Sequence, residues 1–160
     1  MAGAYGVLGS RLYVGDTALV NIESAVDTIA DFTSLSVSAE VGLIESLGNI
    51  GKVFDLVTFQ AVKDGRTYKF KGGYNGGSMD MVVASDITDV GQALMEQYAN
   101  SPDQNTYPFK ITLNGADAMF DTIYFGGKVF SHQFVFGSVN NVVKANIKIE
   151  VNTEIFIGAA

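Results

Sequence analysis

The segment KANIKIEVNTEIFIG changes side-chain character at nearly every step. Ala145, Ile147, Ile149, Val151 and Ile155 hold one set of positions, and Lys144, Asn146, Lys148, Glu150, Asn152 and Glu154 hold the other. A strand sends successive side chains to opposite faces, so the pattern predicts a sheet that is dry on one side and wet on the other. A helix would bring its apolar residues back every three to four positions instead. TSLSVSAEV repeats the alternation, with Leu35, Val37, Ala39 and Val41 against Ser34, Ser36, Ser38 and Glu40. Further strands are predicted in RLYVGDTALVNI, FDLVTFQAV, RTYKFKGG, SMDMVVA, YPFKITLNG, AMFDTIYFGG and KVFSHQFVF, each bounded by glycine, asparagine or aspartate turn chemistry. KDGR, Lys63 to Arg66, reads as a two-residue hairpin turn of type I′, with weaker turn signals at Asn114-Gly115 and Gly126-Gly127.

One segment reads as a helix. In SDITDVGQALMEQYANSP, Ile87, Val90, Leu94 and Tyr98 recur at helical spacing, Ser85 or Asp86 is placed to cap the start, and Pro102 ends it. No second composition regime or short-period repeat interrupts the chain, so residues 1–160 read as one domain, mainly β with one helix.

With 160 residues, 48% of them hydrophobic, the chain can bury a sizeable core. A net charge of −7 repels phosphate backbones, which disfavours tight nucleic-acid binding, although a solvated acidic surface needs no function beyond solubility. The absence of cysteine removes disulfides and thiolate chemistry. No apolar run has the length of a membrane span and no signal-peptide pattern opens the chain, so the protein is expected to stay in the cytosol until assembly, without membrane insertion.

The glycine-rich KGGYNGG is not a phosphate loop. Lys71 precedes the glycines, where a Walker loop carries its lysine after them, and a strand follows in place of a helix. Gly72, Gly73, Gly76 and Gly77 read as a hairpin or close-packed turn. His132, the single histidine, lies in a phenylalanine-rich strand and reads as structural. The carboxylates are scattered. No catalytic, cofactor or metal site is expected, and the chain does not read as an enzyme.

The run from VGLIESLGNIGKVFDLVTFQAVKDGRTYKFKGG through DITDVGQALMEQYANSPDQNTYPFKITL resembles the major tail tube proteins of siphophages. It covers about Val37 to Val151 and rests on the order of elements: a serine-rich strand, an apolar-glycine loop, a strand to a KDGR-like turn, a lysine-glycine stretch, a helix and closing strands. The resemblance implies a β-sandwich or barrel flanked by an α-helix, with subunits that form hexameric rings, close a continuous β-barrel and stack into a hollow tube. It further implies a structural virion protein in the tail tube. The sequence departs from many relatives in that no added C-terminal immunoglobulin-like domain is expected. DNA would pass through the tube unbound. Expected partners are other copies of the chain, the tape measure protein, and the tail tip and tail terminator proteins. An Hcp-like conduit or the inner tube of a contractile tail is the nearest alternative, and a monomeric β-sandwich binding module a more distant one.

Two surfaces carry these expectations. The segment from Gly42 to Asp55 is an apolar-glycine loop in which Leu43, Ile44, Leu47, Ile50, Val53 and Phe54 either make a ring-stacking contact or fold over the chain's own core. The polar positions Ser34, Ser36, Ser38 and Glu40, with Asn146, Lys148, Glu150, Asn152 and Glu154, either face the lumen or face ordinary solvent.

Overall fold

A computed structural model describes residues 6–19, 32, 36–114 and 122–158. Among these the elements are β1 (Gly6–Val14), β2 (Ala39–Val41), β3 (Ile44–Ser46), β4 (Val53–Gln60), β5 (Thr67–Asn75), β6 (Ser78–Ala84), α1 (Val90–Asn100), β7 (Tyr107–Asn114), β8 (Thr122–Val135), β9 (Lys144–Val151) and β10 (Phe156–Gly158). The main sheet is antiparallel throughout, in the order β2-β1-β7-β8-β9-β6-β3, with β10 added to β8; β4 and β5 form a separate hairpin.

The path begins and ends on one stretch of chain. β2 pairs with β1 through Tyr13↔Glu40, β3 pairs with β6 through Ile44↔Val83, and only Gly42 and Leu43 lie between β2 and β3. The sheet must therefore curl until its two ends meet. At the junction Leu43 takes a left-handed backbone (φ 55°), and its carbonyl accepts from the Ala84 N–H at 2.9 Å. The curled inner face carries Leu12, Val14, Val41, Met79, Met81, Val83, Phe109, Ile111, Phe125, Ile147 and Ile149, all buried.

α1 packs against this face and the junction. Its N-cap is Asp89, one of whose oxygens, Oδ2, accepts from Gln92 N–H at 3.0 Å and from Gly42 N–H at 3.1 Å. Gln92 is only 4% exposed, and its side chain is fully used: Nε2 donates to the carbonyls of Gly42 and Ala84 at 2.8 and 3.0 Å, and Oε1 accepts from Asp86 N–H at 2.9 Å. Gly91 lets the helix backbone rest on β2, because a Cβ there would overlap the Glu40 carbonyl.

Several expectations change. The cap is Asp89, whereas Asp86 closes a turn of its own by accepting from Thr88 N–H and Oγ1, which holds its carboxyl below the usual range. The helix consequently starts later than Ile87 and buries Gly91, Gln92, Met95 and Tyr98, leaving Ile87 and Val90 exposed. The C-terminal alternation is not one strand: β9 ends at Val151, and the chain bends before β10. Gly126 and Gly127 lie inside β8 instead of forming a turn. A Cβ on Gly126 would come within 2.6 Å of Leu19 and one on Gly127 within 2.9 Å of the Glu150 carbonyl, so close packing explains both. Likewise Gly72 and Gly73 lie within β5, and only Gly76 and Gly77 lie between strands. KDGR belongs to a longer connection, in which Gly65, at φ 67°, donates to the Ala61 carbonyl and Arg66 accepts from Ala61 N–H. Asn114 ends β7, and Gly115 lies outside the described residues.

Tyr98 anchors the other end of the helix. Its ring stacks on Tyr107 with centroids 3.6 Å apart, and its hydroxyl donates to the Gly15 carbonyl at 2.8 Å. Burial, followed by the neighbouring Tyr107, pushes the phenol up to about 12.

Two outcomes are expected. Asp89→Ala removes the cap and leaves Gly42 N–H without its acceptor, so denaturant unfolding should show a loss of about 1–3 kcal/mol. Tyr98 is held protonated in the folded state, so its contribution is complete below the ordinary phenol pKa of about 10 and is lost as pH rises towards 12. Thermal unfolding between pH 9 and 12 should therefore fall less steeply for Tyr98→Phe than for the unaltered protein.

Candidate assembly surface

The hairpin of β4 and β5 stands apart from the main sheet, and every residue of β4 is exposed. Its register pairs Val57 with Phe70 and Phe59 with Tyr68, which puts these four side chains on one face. They are 47%, 56%, 60% and 38% exposed, respectively. The opposite face pairs Leu56 with Lys71 and Thr58 with Lys69. The arm is thus amphipathic like a strand pair over a core, yet none of its own chain covers the apolar side among the described residues. Isolated two-stranded hairpins are marginal in water, so such a face has value only against a partner.

A second apolar projection lies at the far end of the β8–β9 hairpin, where Phe130, Phe134, Val135, Phe136, Val139 and Val142 are exposed. His132 is half-buried there, edge-on to Phe134 with centroids 5.0 Å apart. β7 accompanies β8 only as far as Gly127, so from Lys128 to Val135 one edge of β8 is open among the described residues. On the other side of β9, β3 pairs with β6 at Val82 and Val83, and beyond them Gly48 lies against the Asp80 backbone and covers the β6 edge there. The three-stranded unit β8-β9-β6 therefore has one open edge among the described residues, that of β8 from Lys128 to Val135.

The outward face of that unit is polar apart from Val82. It carries Lys128, Ser131 and Gln133 from β8, Asn146, Lys148 and Glu150 from β9, and Ser78 and Asp80 from β6, in cross-strand register. Lys128 and Lys148 balance Asp80 and Glu150, so the chain's acidic surplus does not lie on this face; Lys148 stands 3.6 Å from Glu150.

The residues singled out from the sequence are spread over several places. Gly42 to Asp55 is not one loop, because it contains β3 and the start of β4. Ile44, Leu47 and Ile50 are half-buried against the core, Leu43 is exposed at the sheet junction, and Val53 and Phe54 are exposed at the base of the arm. Gly48 fixes this course by passing so close to the Asp80 backbone that a Cβ would overlap its carbonyl. Of the polar set, Ser34 lies outside the described residues, while Ser36 and Ser38 are exposed just before β2. Glu40 sits on β2, 3.8 Å from Arg11. Asn146, Lys148 and Glu150 share the outward face of β9, which three strands separate from β2, so the two groups do not form one stripe. Asn152 and Glu154 follow the end of β9. Asn152 donates to Thr106 Oγ1 at 3.1 Å, and Glu154 bonds Lys52 and Tyr74 at the root of the arm. The sequence shows the strands of the arm but not their exposure; the available signal was aromatic residues on both sides of KDGR, with lysines alternating against them in β5.

No protein-family model and no curated protein matches the sequence. Solved structures do match the fold from end to end. A chain of the PVC extracellular contractile injection system, in its extended sheath/tube terminator, superposes with a TM-score of 0.67 at 12% identity over 99% of both chains. A chain of the anti-feeding prophage baseplate gives 0.68 at 8% identity over 98% of this chain and 97% of that one. The SPP1 tail tube gives 0.59 at 11% identity over 97% of this chain and 80% of that one. At these identities the likeness concerns the fold, and the chain has the tail-tube-like fold, mainly β and flanked by the helix α1.

Proposed function

We propose that the chain is a structural subunit of a phage tail tube, which joins other copies in six-fold rings that stack into a hollow conduit for DNA. The observation that carries this reading is the uncovered apolar arm, on a fold shared end to end with chains of tube-forming particles. The open edge of β8 supports it further. Pairing of that edge with the next copy makes a head-to-tail row, and a fixed rotation per step closes such a row into a ring. Strand pairing across subunits would make the barrel continuous, with the polar outward face towards the lumen. A neutral, hydroxyl- and amide-rich wall offers DNA few attachment points. In the virion the tube would adjoin the tape measure, tail tip and terminator proteins, with assembly in the host cytoplasm.

The inner tube of a contractile injection system is a second reading, favoured by the match to chains of such particles. Co-assembly with a contractile sheath separates the two.

Negative-stain electron microscopy of the purified protein should show rings or tubes of uniform width. Phe59→Ser with Phe70→Ser alters only exposed positions of the arm, so the variant should fold with an unchanged unfolding midpoint and lose the tubes. A native protein that stays monomeric at high concentration, also when tail-tip components are added, would overturn the reading, as would normal tubes from the double variant.

A further inference from the structure

The arm joins the body through glycines. Gly51 precedes β4, and Gly76 and Gly77 follow β5. The body side is fixed, since Gly77, at φ 90°, accepts on its carbonyl from Val151 N–H at 3.0 Å and donates to Asn75 Oδ1 at 2.9 Å. A Cβ on Gly77 would stand 2.6 Å from the Gly51 carbonyl, and one on Gly76 would stand 3.0 Å from Val151, so the two crossings lie against each other and against the end of β9. Among the described residues, no strand pairing joins the arm to the main sheet. Below its root an open groove of about 1160 Å³ separates Tyr74 and Asp55 from Ile123, Ile155 and Ile157.

Across this groove, side-chain hydrogen bonds from residues 52–75 to the body converge, among the described residues, on one group. Glu154 takes Lys52 Nζ at 3.0 Å on Oε2 and 3.2 Å on Oε1, and Oε1 also accepts from the Tyr74 hydroxyl at 3.1 Å. Lys52 in turn lies over the Tyr74 ring, 4.2 Å from its centroid; Tyr74 packs on Phe54 at 5.4 Å, and Lys71 covers the Phe54 ring at 4.9 Å. The bond to Lys52, then that to Tyr74, holds the Glu154 carboxyl below its usual range.

We infer that Glu154 is a positioning residue: with Lys52 and Tyr74 it latches a glycine-hinged arm in one direction, and so sets how readily a free subunit assembles. The inference rests on the assembly reading above. Exposed ion pairs add little to global stability, so this pair's effect falls on orientation and not on folding. An arm free to swing presents its apolar face correctly for only a fraction of the time, and apparent affinity falls by that fraction.

The test measures direction and assembly separately. The absence of native cysteine allows spin labels at Asp64→Cys, on the arm's tip connection, and Gln97→Cys, on the exposed side of α1. In the monomer, pulsed dipolar spectroscopy should give one narrow distance distribution. Glu154→Gln should broaden it without moving the unfolding midpoint, and the exchange Lys52→Glu with Glu154→Lys should narrow it again. In unlabelled protein, Glu154→Gln should slow tube growth about tenfold, the cost of an arm correctly directed about a tenth of the time, and the exchange should restore growth. An unchanged distance distribution in Glu154→Gln would overturn the latch, as would slowed growth that the exchange fails to rescue. Failure of the unaltered protein to assemble would instead strike the function, while the monomer distances still decided the latch.

Discussion

One carboxylate oxygen holds the fold's two halves in register. Asp89 Oδ2 caps α1 and also takes the Gly42 N–H, at the point where the chain leaves one end of the sheet and joins the other. Gln92 completes the joint by bonding the carbonyls of Gly42 and Ala84. Without these bonds, the backbone groups at the joint would be partly shut away from water and unsatisfied, a state that native structures avoid. Curvature of the sheet, the seat of the helix and enclosure of the core all follow from this arrangement. Gly91 supplies the necessary closeness between helix and β2.

The strands that build the body were legible because one face of each meets the core. In β6 the dry positions Met79, Met81 and Val83 alternate with wetter neighbours, and in β9 Ala145, Ile147, Ile149 and Val151 do so too. The helix was legible by its period, but not its burial. Ile87 and Val90 fit an apolar stripe, yet the helix turned towards β2 the side that bears glycine, a choice made by backbone contact that hydrophobicity does not report. Glycine inside β8 misled for a related reason, since local chemistry cannot distinguish a residue that turns the chain from one that makes room for Leu19 and Thr153.

The candidate site was only half legible. Alternation in FDLVTFQAV and RTYKFKGG defines two strands with one apolar face, and a reader of sequence then assigns that face to the chain's own core. Its exposure depends on where the Gly51 and Gly76-Gly77 crossings send the hairpin, which is a tertiary property. Glu154 shows the same limit. By alternation it belongs with Glu150, but the bend after Val151 takes it to the root of the arm.

The open edge of β8 also bears on growth. Each copy that joins a row covers one edge and presents another, so an unfinished row always keeps two unsatisfied ends, whatever its length. Only closure removes both at once. A row that closes at a fixed number of copies therefore gains its last contact within one molecule, at a high local concentration, and partial rings should be scarce at equilibrium beside free subunits and complete ones.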